Sequence, residues 1–163
     1  MISQGSSSEA RLIIICGLPG SGKTTHARML EDTLPAVRLC PDDWMTALSL
    51  DLYDEDRRAR IEALQWDLAR KLLPLGLAVV IEWGTWGRSE RDTLRTGAQA
   101  LGARVELHYL SAPVDILFER IRHRGREDPP ITRDALAEWA GIFQAPTAEE
   151  MALYNGSCHV AFE

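Results

Sequence analysis

Residues 12–25 read LIIICGLPGSGKTT. The first five are apolar without a break, the signature of a strand buried on both faces of a parallel sheet. Gly17-Leu18-Pro19-Gly20-Ser21-Gly22-Lys23-Thr24 then matches G-x-x-x-x-G-K-[ST] at every fixed position. The glycines let the backbone curl so that successive N–H groups point inward at phosphate oxygens. From Lys23 the chain reads as helix: Ala27, Leu30 and Leu34 recur at i, i+3 and i+7 until Pro35 ends the pattern. The positive end of that helix favours an anion at the loop. Strand, glycine turn and helix together form the context the motif requires. The stretch from Gly17 through Thr25 is therefore expected to hold a nucleoside triphosphate. Lys23 is expected on the β- and γ-phosphates and the Thr24 hydroxyl on Mg²⁺.

Working outward, apolar runs at 36–40 (AVRLC), 77–81 (LAVVI) and 105–110 (VELHYL) read as further strands, with a last one at 159–162. Helices are expected over 44–48, 54–73, 89–101, 114–124 and 132–143. In the longest, Ile61, Leu64, Leu68 and Leu72 form one apolar stripe. Ser89-Glu90-Arg91-Asp92 has the form of a capping box. Alternating strands and helices imply an α/β fold with a mainly parallel five-stranded sheet and right-handed crossovers. Neither a repeat nor a linker interrupts the pattern, so residues 11–163 are expected to form one domain behind a flexible tail at 1–10.

A chain of 163 residues suits one domain. Its 45% apolar and 26% charged residues exclude a disordered chain. The net charge of −6 argues against a general nucleic-acid coat, which runs on a basic excess. Cys16, Cys40 and Cys158 are far apart and show no CxxC spacing, so neither a disulfide framework nor a zinc site is expected and a reducing compartment fits. The Ser-rich start lacks the apolar segment of a signal peptide, and no run approaches the ~20 apolar residues of a membrane span. A cytoplasmic protein without a membrane partner is the expectation.

Three constellations point past nucleotide binding. Asp42-Asp43 follows the second strand, at the sheet end where ligands of open α/β folds sit. One Asp is expected to cap the next helix and the other to take the proton of an acceptor hydroxyl or help hold Mg²⁺, with Asp43 among the residues expected beside the substrate. Arg120, Arg122, Arg124 and Arg126 run into GREDPP at 125–130, a candidate lid. Arg120 and Arg124, four apart on one helix face, would close on the transferring phosphoryl group. Glu82-Trp83-Gly84-Thr85-Trp86-Gly87 follows the third strand, offering Glu82 near Mg²⁺ and Trp83 and Trp86 as an acceptor wall. Arg88 and Arg91 read either as an anion site or as surface cover.

In this order the features resemble the small P-loop kinases of the polynucleotide kinase, zeta-toxin and chloramphenicol phosphotransferase group, with its bacterial AAA-family ATP-binding members. The likeness covers residues 12–143. GLPGSGKTT matches the loop, Asp42 of PDDW the general base, and Arg120 and Arg124 of ERIRHRG the paired lid arginines. The resemblance implies a P-loop NTPase three-layer sandwich with strand order 2-3-1-4-5 and ATP as donor. Two positions depart from the polynucleotide kinases: Met45 stands where an Arg grips nucleic-acid phosphate, and Glu82-Trp83 where an Asp is usual. With the negative charge, these favour an ATP- and Mg²⁺-dependent phosphotransferase acting on a hydroxyl of a small molecule. The alternatives are a 5′-hydroxyl polynucleotide or RNA kinase and an ATP-binding module that transfers nothing.

Overall fold

In a computed structural model that describes residues 9–163, the apolar run forms the central strand β1 (Arg11–Cys16). After it come α1 (Lys23–Thr33), β2 (Ala36–Leu39), α2 (Pro41–Ala47) and α3 (Glu55–Leu72), which ends in a 3-10 turn. Next are β3 (Ala78–Gly84), α4 (Arg88–Ala100), β4 (Arg104–Ser111) and α5 (Val114–Arg124). The chain closes with α6 (Arg133–Ile142), α7 (Ala148–Met151) and β5 (Gly156–Ala161). The five strands are parallel, in the order β2-β3-β1-β4-β5. The tail expected over 1–10 falls mostly on residues 1–8, outside the described residues.

β1 is apolar and buried from Leu12 to Cys16 because helices cover both of its faces. Leu12, Ile14 and Cys16 pack with Val79, Ile81, Val105 and Leu107 against Ala69 of α3 and Leu94 and Ala98 of α4. Ile13 and Ile15 point the other way, with Val80 and Leu110, against Ala27 of α1. Each Leu, Ile or Val among them fully withdrawn from water stabilises by about 1.5–3 kcal/mol. A third cluster, Leu117, Ile121 and Leu136, joins α5 to α6. No helix among the described residues is long and apolar enough to cross a membrane.

The structure corrects several local readings. α2 begins at Pro41, whose fixed φ suits the first helical position. Its N-cap is Cys40, with no side-chain capping bond, so neither Asp42 nor Asp43 caps the helix. Both instead occupy the first turn, where the helix dipole favours them. In α3, Asp54 caps as the acidic start suggested. The buried line, however, runs through Ile61, Gln65 and Ala69, while Leu64 is 59% exposed. Gln65 is buried because its Oε1 accepts a 2.8 Å bond from Trp83 Nε1, a partner that periodicity does not reveal. The capping box at 89–92 does not form: Gly87 is the N-cap and Glu90 takes the Gly87 N–H. β3 runs on through Glu82 and Trp83, which therefore lie within the strand and not beyond it.

Arg91 is neither surface cover nor anion site. It is fully buried and forms a two-bond pair with Glu150 of α7, at 2.6 and 2.9 Å. It also donates to the carbonyls of Thr85 and Gln144, each at 2.8 Å. Arg91 thereby ties the loop after β3 to the segment after α6. Replacing Arg91 with Met leaves Glu150 buried without a partner. The expected loss is about 3–5 kcal/mol in denaturant unfolding, with much of it recovered in Arg91→Met/Glu150→Met. A single variant as stable as the parent would contradict this account.

Candidate functional site

The loop between β1 and α1 is held tightly enough that two positions admit only glycine. Gly20 has φ +79°, and a Cβ there would lie 2.7 Å from the Leu117 carbonyl oxygen. At Gly17 it would lie 2.5 Å from the Leu110 carbonyl oxygen. Both contacts are with backbone that has little room to move, so the curl of the loop is fixed by β4 and α5. Lys23 Nζ arches back to donate to the Leu18 carbonyl at 2.9 Å. Burial lowers the Lys23 pKa to about 8, against the raising influence of Glu82 and Asp42.

The Thr24 hydroxyl donates to Glu82 Oε1. The other oxygen of Glu82, which is almost fully buried, accepts from Arg38 Nη1 at 2.9 Å. Arg38 reaches on to Asp43. A hydroxyl facing a buried carboxylate is a donor set that suits a hard divalent cation. Thr24 and Glu82 therefore fit the Mg²⁺ expected there.

One cleft of about 820 Å³ brings most of the sequence-predicted residues together. Its lining includes Pro19, Gly20, Gly22, Lys23, Thr24 and Thr25, with Glu82, Asp42, Arg120 and Arg124. Trp83 and Trp86 line it as well. Asp42 is exposed and paired with Arg58 of α3, which also faces Glu62 at 3.7 Å. Burial raises the Glu62 carboxyl to about 7. Arg120 Nη1 rests on the Gly20 carbonyl at 3.3 Å, and its guanidinium lies 4.5 Å from the Phe162 ring centre. Arg124 pairs with Glu127.

Four expected residues and one expected base neighbour stand elsewhere. Gly17, Leu18 and Ser21 are outside the cleft lining; Leu18 packs against the α5–α6 cluster, and Ser21 is fully buried. Arg88 is exposed and 3.5 Å from Asp92, outside the lining. Asp43 is turned to Arg38 and lies outside the cleft lining.

The sequence reading missed Arg38, Arg58, Tyr53 and Trp139. Trp139 of α6 lines the cleft with its ring centre 5.8 Å from that of Trp86. The Tyr53 hydroxyl donates to the Pro129 carbonyl at 2.8 Å, joining the α2–α3 loop to the Pro-rich loop. Arg38 carried a signal, as a charged residue inside the apolar run AVRLC. The others arrive by tertiary folding alone.

The AAA domain family matches residues 12–146. The chain belongs to the AAA domain family. Among solved structures, this AAA domain is similar to a gluconokinase from Sinorhizobium meliloti 1021, with TM-score 0.59 and 21% identity over 93% of this chain and 81% of that one. It is also similar to the APS kinase CysC of Mycobacterium tuberculosis in complex with AMPPNP and APS, with TM-score 0.61 and 17% identity over 93% and 88%. A chain of the Pnkp1/Rnl/Hen1 RNA repair complex gives TM-score 0.70 and 22% identity over 87% of this chain and 46% of that one. The shared fold is that of P-loop kinases. No curated protein matches the chain.

The lowered Lys23 pKa makes triphosphate binding proton-linked. Below about pH 8 the ammonium is already present. Above it the neutral amine must take up a proton as phosphate charge arrives, so affinity falls as pH rises. Calorimetry in buffers of different ionisation enthalpy should show proton uptake near zero at about pH 6.5 and clearly positive at about pH 9. Uptake that does not change across this range would contradict the assignment of Lys23.

Proposed function

We propose that this AAA domain transfers the γ-phosphoryl group of ATP to a hydroxyl of a small-molecule acceptor. The observation that carries the reading is Asp42: its carboxylate lines the same cleft as Lys23, Arg120 and Arg124, beside an aromatic wall of Trp83, Trp86 and Trp139. A domain that only binds nucleotide has no use for a base facing the phosphates across an acceptor-sized space.

The loop amides and Lys23 hold the β- and γ-phosphates. Thr24 would hold Mg²⁺ with Glu82 beside it; the ion, when bound, neutralises charge on the phosphate oxygens. Asp42 orients the acceptor and takes its hydroxyl proton as that oxygen attacks the γ-phosphorus. The bond to the bridging oxygen breaks, and ADP leaves with the electron pair. Arg120 and Arg124 leave the Gly20 carbonyl and Glu127 to meet the transferring group. On this reading residues 11–163 act as one kinase domain, and the stretch at 120–130 is its lid.

Arg58 favours a second reading in part. Met45 is fully buried and outside the cleft lining, in keeping with the sequence departure from polynucleotide kinases. Yet Arg58 brings a guanidinium to Asp42 from α3, where it would meet an anionic substituent of the acceptor. A 5′-hydroxyl nucleic acid carries such a group, as does a phosphorylated or carboxylated small molecule.

Transfer of label from γ-labelled ATP into a metabolite extract tests the assignment. Asp42→Asn should lower the transfer rate by about 10²–10⁴ while leaving ATP affinity near that of the parent. Lys23→Ala should weaken ATP binding itself. Full transfer by Asp42→Asn would show that another group is the base.

A further inference from the structure

On the α1 side of the sheet, away from the cleft, three metal-ligating side chains from distant parts of the chain converge. His26 lies in the first turns of α1, His108 at the middle of β4 and Cys158 on β5. Each offers one donor atom, and the three atoms lie within 4.8 Å of one another. His26 Nε2 and His108 Nδ1 are 2.8 Å apart. Cys158 is the register partner of His108 in the parallel pair, so the two side chains share one face. All three are half-buried, and none lines the nucleotide cleft.

The surroundings are those of a supported ligand set. His108 Nε2 is 3.4 Å from Glu106 Oε2. Arg11 fixes Glu106 through two bonds, 2.6 and 2.8 Å. Opposite Glu106 in the register stands Gly156, where a Cβ would come within 3.3 Å of the Glu106 side chain. The carboxylate is thus placed to accept the Nε2 proton of His108, which leaves Nδ1 as the lone-pair nitrogen facing His26. A carboxylate that accepts the other ring N–H is a usual outer partner of a histidine ligand. The chain's other histidines are occupied elsewhere: His159 stacks on Tyr109 with ring centres 4.5 Å apart, and His123 is exposed on α5.

We infer that His26, His108 and Cys158 form a binding site for a zinc-class divalent cation. Two imidazoles and a thiolate suit Zn²⁺ and not Mg²⁺, which takes oxygen ligands. Ligand bonds of about 2.0–2.3 Å require donor atoms about 3.3–3.6 Å apart. The hydrogen-bonded imidazoles open by about half an ångström and Cys158 closes in, within the reach of side-chain rotation. On binding, the proton between the imidazoles moves to His26 Nδ1. The Cys158 thiol proton goes to solvent, so one proton is released per metal. Water takes the fourth position. The ion would clamp α1, whose first turn carries Lys23 and Thr24, to β4 and the edge strand β5.

Chelator-treated full-length protein titrated with Co²⁺ tests the site. One equivalent should produce tetrahedral d–d bands and a thiolate-to-cobalt charge-transfer band, both displaced by Zn²⁺ and unaffected by Mg²⁺. Cys158→Ser should remove the charge-transfer band, and Glu106→Gln should weaken Co²⁺ binding by about 10–100-fold. Should a variant fold poorly, alkylation of the parent gives an independent readout: Zn²⁺ should protect Cys158 from iodoacetamide, as mapped by mass spectrometry. A missing charge-transfer band, a band unchanged in Cys158→Ser, or equal alkylation with and without Zn²⁺ would each overturn the site.

Discussion

The arrangement of the cleft depends on one buried carboxylate. Glu82 sits on β3 between the phosphate loop and the acidic helix α2, and each of its oxygens holds a different element. One receives the Thr24 hydroxyl at the start of α1, the other the Arg38 guanidinium on β2. Arg38 then grips Asp43 in the first turn of α2. A carboxylate so far from water is costly unless its lone pairs are filled, and here both oxygens have donors. The result is a chain of contacts from the nucleotide loop to the helix that presents Asp42.

A second buried pair, Arg91 with Glu150, plays the corresponding part on the tryptophan side of the cleft. It fixes the carbonyls of Thr85 and Gln144, and Gln144 in turn donates its N–H to the Trp86 carbonyl at 3.0 Å. Thr85 is held at φ +44°, outside the usual range for a side-chain-bearing residue. That turn sets where Trp86 stands against Trp139. Two rigid polar supports therefore flank the cleft, whereas Arg120, Arg124 and Arg58 rest on partners that an arriving phosphate can replace.

Much of this was legible in the sequence because it is local. The strand–loop–helix at 12–34 carries its own apolar run, glycines and lysine, and alternating strands and helices imply the parallel sheet. Asp42, by its place after β2, and Arg120 and Arg124, by their four-residue spacing on one helix face, were expected near the loop, and all three line the cleft. Features set by tertiary partners were hidden. Gln65 broke the apolar stripe of α3 because it answers Trp83, and Arg91 looked like surface because Glu150 lies far along the chain. Arg58, Tyr53 and Trp139 reach the cleft from elements with no motif of their own. His26, His108 and Cys158 show no metal-site spacing, since parallel strand register and helix packing bring them together.

The central claim is that this cleft moves a phosphoryl group onto a small hydroxyl compound. The most direct measurement supplies the parent protein with γ-labelled ATP and Mg²⁺ and two acceptor pools side by side, 5′-hydroxyl oligonucleotides and a small-molecule mixture. The account predicts stable label in the small-molecule pool alone. Label in the oligonucleotides alone, or ATP bound with no labelled product in either pool, would contradict it.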